Sequence, residues 1–150
     1  MKKLLMLAVL GTLAFPLAPL RAGDEDDDTS SPRAALEALN DFIGHWKGDG
    51  APDQPQPDPN QAWKETVNWT WRFKGDDAWL VMTVNNGKYL QSGELRFLPA
   101  TKRYQLTATT TDGKQTVYEG VLKDHILTLE HVDPATQEVQ RLKMNSAADG

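Results

Sequence analysis

The chain of 150 residues contains no cysteine. Disulfides, thiolate metal sites, a cysteine nucleophile and a lipidated N-terminal cysteine are all excluded. A small exported domain without disulfides must stand on its hydrophobic core alone. Basic charge is also short, with 16 Lys and Arg against 21 Asp and Glu and a formal net charge of −5. That balance suits neither nucleic acid, whose affinity rests on Lys and Arg at phosphates, nor an anionic membrane surface. No apolar run reaches the roughly 20 residues that span a bilayer. After Gly44 no stretch keeps a helical period, and no segment repeats. No serine sits in a nucleophile-elbow pattern, and no glycine-rich phosphate loop occurs. Enzyme chemistry therefore has no visible footing, and no cofactor is expected.

What is present begins with a leader. Met1-Lys2-Lys3 is a short basic start, Leu4 to Leu13 an apolar run, and Pro16, Pro19 and Ala22-Gly23 follow. This is the layout of a secretory signal peptide over residues 1–22. It predicts export to a bacterial periplasm or beyond, with no stable membrane insertion after cleavage. The leader holds Lys2, Lys3 and Arg21 and no acid, so thirteen bases face 21 acids in the remainder, a net charge of about −8. Residues 23–30 include Asp24-Glu25-Asp26-Asp27-Asp28 and read as a solvated acidic tail, since adjacent like charges repel and bury nothing. The domain proper is expected over residues 31–150.

Ser31-Pro32 opens a short helix, with Ser31 as the cap and Pro32 at the first helical position. Leu36, Leu39, Phe42 and Ile43 form one apolar stripe, and Gly44 is the expected stop. Gly44 to Gly50 should begin the first strand. Ala51 to Asn60 carries Pro52, Pro55, Pro57 and Pro59, which block helix and sheet pairing and predict an extended excursion.

Trp63 to Lys74 organises the rest. Trp63, Glu65, Val67, Trp69, Trp71 and Phe73 share one parity, while Lys64, Thr66, Asn68, Thr70, Arg72 and Lys74 share the other. Period two over this length predicts a half-buried strand. Further strands follow at Trp79 to Val84, Tyr89 to Leu98, Arg103 to Thr110, Gln115 to Leu122, Ile126 to Val132 and Glu138 to Met144. Turn signals separate them, among them Asn86-Gly87 and Asp112-Gly113. Gly93 predicts a bulge or bend. Strands at this spacing predict an all-β antiparallel meander, a barrel or a sandwich, with one short N-terminal helix. Asp149-Gly150 is a hairpin dipeptide with no strand after it. Either the chain is part of a longer barrel or its end is a polar tail.

Phe42-Ile43-Gly44-His45-Trp46-Lys47-Gly48-Asp49-Gly50 resembles the opening of small lipocalin-like barrels, where a short helix leads into a G-x-W motif. Its glycine and tryptophan pattern, at Gly44, Trp46, Gly48 and Gly50, looks like the nitrobindin-like branch. It is also similar to lipocalin-like domains of exported bacterial proteins. The resemblance spans about Leu36 to Met144 in outline, and only the opening motif is specific. It implies a barrel with a central cavity. The haem-ligating histidine of that branch lies on a late strand for which this sequence has no match, so haem is not implied.

His45, His125 and His131 are the only histidines. His125 and His131 are expected on one strand about 20 Å apart, too far for one metal ion, and His45 is expected at the surface. Glu65 is the one carboxylate on the aromatic face. It is expected in water at the strand end, or paired with Arg72, Arg96 or Arg103, or as a polar spot in a pocket. Two functions remain. The first is a binding module for a small apolar molecule, with Trp46, Glu65, Trp69, Trp71 and Tyr104 at the cavity. The second is a structural or protein-interaction domain with a filled core. A cavity of a few hundred Å³ would mark the first, and a filled interior with exposed apolar surface the second.

Overall fold

The computed structural model describes Val9–Leu10 and residues 31–51 and 58–145. The rest of the leader, the acidic tail, the middle of the Pro-rich excursion and Asp149-Gly150 lie outside the described residues. The described chain is all-β with one short helix. Its strands are β1 (Val9–Leu10), β2 (Gly44–Gly50), β3 (Trp63–Lys74), β4 (Asp77–Asn85), β5 (Leu90–Leu98), β6 (Arg103–Thr110), β7 (Gln115–Lys123), β8 (Ile126–Val132) and β9 (Val139–Asn145). From β2 to β9 each strand pairs antiparallel with the next. The two-residue β1 lies against β9, with Val9 opposite Arg141 and Leu10 opposite Gln140. No pairing joins β2 to β9. Among the described residues the sheet curls into a half-barrel with β2 at one edge and the short β1, laid on β9, at the other, a form compatible with a lipocalin-like fold.

Strand positions follow the period-two reading closely, and β3 keeps its predicted bounds. The helix does not. It covers only α1 (Pro32–Glu37), and a single 3-10 turn at Asn40–Phe42 completes the segment. Ser31 Oγ accepts from the Ala34 N–H at 3.1 Å, as a cap should. Gly44 follows Ile43, the C-cap of that 3-10 turn, and is at once the end of the helical segment and the first residue of β2. Its φ of +117° lies where only glycine is comfortable. The apolar stripe survives the change, because Leu36, Leu39 and Phe42 are all buried. His125 also departs from expectation, lying in the β7–β8 turn with φ +62°.

α1 packs across β4 and β5 and closes one end of the half-barrel. Tyr104 ties it down by donating to the Ala35 carbonyl at 2.7 Å. The concave face carries Val67, Trp69, Leu80, Met82, Leu95, Leu106, Leu127, Leu129 and Met144 in one buried cluster. Register is irregular between Leu90 and Ser92 in β5, next to Gly93, where a bulge was expected. Gly93 faces inward, and a Cβ there would stand 2.8 Å from Leu106 Cδ1.

Candidate functional site at the mouth of the half-barrel

The five residues expected around a cavity fall in different settings, and of them Trp69 borders a small gap in the core. Trp46 and Trp69 are each 1% exposed and belong to the packed core. Trp46 donates its indole N–H to the Phe42 carbonyl at 2.6 Å and so pins the bend between the 3-10 turn and β2. Tyr104 is buried under α1, and its phenol pKa is raised by desolvation. Trp71 is half-buried at the α1 end, where it donates to Asn40 Oδ1 at 3.1 Å and stacks on Phe73. The gap bounded by Leu39, Phe42, Trp69, Leu80, Leu95, Leu127 and Met144 is too small for a water molecule. The motif glycines Gly44 and Gly48 serve the β2–β3 pairing, with Gly44 opposite Trp69 and Gly48 opposite Glu65.

Glu65 alone of the five lies at the other end, the mouth that α1 leaves uncovered. It is half-buried and accepts from the Trp63 indole N–H at 3.0 Å. Its partner is thus a tryptophan on its own strand and none of the three arginines proposed from the sequence. Trp63 meets Tyr89 edge-on, with ring centroids 5.3 Å apart. The Lys88 ammonium lies 4.9 Å from the Trp63 ring centroid and 5.7 Å from that of Tyr89. Lys88 and Tyr89 sit in the loop between β4 and β5. Asn86 in that loop adopts φ +57°. A Cβ on Gly87 would fall 2.1 Å from the Leu90 carbonyl oxygen, so the loop closes only around glycine. Thr111 holds it from the far side, donating its N–H to the Tyr89 carbonyl at 3.0 Å and its hydroxyl to that of Lys88 at 3.2 Å.

Across the mouth, Tyr118 donates to Gln140 Oε1 at 3.0 Å and packs against the His131 ring. Burial raises the Tyr118 phenol pKa. His131 Nδ1 lies 2.9 Å from the Val117 carbonyl. The mouth is therefore lined by aromatic, amide and charged groups, whereas the buried side chains among the described residues are hydrophobic.

Trp63, Lys88 and Tyr89 were not singled out by sequence, although one signal existed. The β3–β4 register pairs Lys74 with Asp77 and Thr66 with Asn85. Continued three residues further, it sets Trp63 beside Lys88.

The convex face is different again. Arg96, Gln105, Glu119, Glu130 and Arg141 form one row across β5 to β9. Gln105 donates to Glu119 at 2.8 Å and Arg141 to Glu130 at 2.6 Å, which offsets the two facing carboxylates. Around this row Val117, Val121, Ile126 and Val132 of β7 and β8 stand exposed. Compared with known proteins, the chain matches no family model, no curated protein and no solved structure at a significant level.

Proposed function

We propose that this is an exported, non-enzymatic interaction domain that works through its surface and takes up a partner's strand at the open edge of its sheet. The observation that carries this reading is a half-barrel with β2 at one edge and β9 next to the other, where only the two leader residues of β1 cover it, around a core whose gap is too small for water. Loss of the leader bares the β9 edge. An unpaired sheet edge presents a row of N–H and C=O groups to any extended chain. The β9 side suits a partner better. Four of the six exposed large apolar side chains lie on β7 and β8 beside it. The β2 edge instead carries the exposed charges of Lys47 and Asp49.

The alternative, a carrier for an apolar molecule, requires about 300 Å³ of interior space. In the described core Leu36 and Leu39 are buried and the gap beside Leu39 is too small for water. The nitrobindin-like reading rests on Gly44, Trp46, Gly48 and Gly50, whose observed work is strand pairing and core packing. It adds no ligand to the proposal.

Sedimentation velocity at rising protein concentration tests the edge, with a second copy standing in as strand donor. Reversible self-association is expected in the chain without residues 1–22, whose β9 edge is bare, and its loss in V117K/V132K of the same length. A chain that stays monomeric at all concentrations, or a double variant that associates equally, would overturn the assignment of the β9 side.

A further inference from the structure

We infer that the Trp63–Tyr89 pair at the mouth is a binding site for an organic ammonium group, a quaternary or methylated amine, which Lys88 occupies from within the chain. An aromatic face is electronegative, and a cation centred over it within about 6 Å is attracted. Lys88 meets that distance to both rings at once. The site is also held in shape. Glu65 fixes the Trp63 indole through its N–H and brings a carboxylate to the same spot. Gly87 and the two Thr111 bonds fix the backbone that carries Lys88 and Tyr89. The rings and carboxylate are thus set by the fold, while the ammonium rides on a flexible four-carbon stem.

That asymmetry makes the cation the exchangeable part. A primary ammonium is strongly hydrated and gives up much solvent to sit on a ring. A quaternary ammonium has no N–H to hydrate and offers methyl groups to both aromatic faces. It is the better occupant, and Lys88 can swing into water to admit it. Tyr89 is 50% exposed, so the approach is open.

The full-length chain is titrated with choline while the Trp63 indole N–H resonance is followed. The expected result is a saturable shift in K88Q with an affinity about tenfold above that of the wild type, since the internal competitor is gone. The neutral isostere 3,3-dimethylbutanol should leave the resonance in place, and Y89L, which keeps the Trp63 signal but removes one of the two rings, should weaken the shift. The Trp46 and Trp69 indole signals report that each variant keeps its core. Phosphatidylcholine vesicles then distinguish the source. Binding to vesicles extends the site to lipid headgroups, and binding to free choline alone confines it to soluble amines. Equal shifts with choline and the neutral isostere, or no shift in a folded K88Q, would overturn the inference.

Discussion

Trp46 and Trp69 are equally buried, yet their indole nitrogens differ. Trp46 donates to Phe42, whereas Trp69 Nε1 has no partner among the described residues. Replacing each with Phe removes a similar volume, so the difference reads the hydrogen bond. W46F leaves the buried Phe42 carbonyl short of a donor, and W69F deletes a donor that was already unsatisfied. W46F should therefore cost about 1–2 kcal/mol more than W69F in urea unfolding. Equal costs would mean that the Phe42 bond carries no stability. Gly93 gives a second residue-scale expectation. Its Cβ would press on the side-chain ends of Leu106 and Met82, which can shift, so G93A should change stability by no more than about 1 kcal/mol in urea unfolding. Asp112 supplies a pH dependence. Hydrogen bonds from Thr110 and then Lys114 hold its carboxyl well below the ordinary value, at about 2. A depressed carboxylate stabilises the fold above its unfolded pKa, and the contribution is lost as pH falls from about 4 towards 2. Thermal melts of D112N should show a flatter response across that window than the wild type.

At the scale of elements, strands were legible because period two is a local property. Trp63 to Lys74 and Arg103 to Thr110 could be bounded from their own alternation. The α1 segment was only half legible. Its stripe told which side chains are buried, but an α-turn and a 3-10 turn present nearly the same stripe. α1 ends at Glu37, and the 3-10 turn that follows is pinned by the Trp46 indole on the Phe42 carbonyl, which no local pattern reveals. α1 itself hangs on two groups. S31A removes its N-cap and should cost about 1 kcal/mol. Y104F leaves the Ala35 carbonyl without its donor and should cost about 1–3 kcal/mol. Both are read from denaturant midpoints. The candidate site was less legible than the strands for the same physical reason. Alternation assigns Trp69 and Trp71 to a face, and it says nothing of what packs against that face. Here Leu39 and Phe42 pack against Trp69, Leu80, Leu95, Leu127 and Met144 and leave a gap too small for water.

At the scale of the molecule, two features fit together. The sheet stays open between β2 and β9, and the concave face is sealed by its own side chains and by α1. Polar and aromatic groups are left at the mouth, and exposed valines are left beside the β9 edge. The proposed surface recognition rests on that distribution: the core gap is too small for water, β2 is a free edge, and only two leader residues cover β9. The most direct test titrates the full-length chain with haem and with a fatty-acid probe while tryptophan emission is recorded. With Trp46 and Trp69 buried in a filled core, the emission should be blue-shifted and unchanged by either molecule. Saturable quenching by one of them would place a ligand against those tryptophans, and would contradict the account.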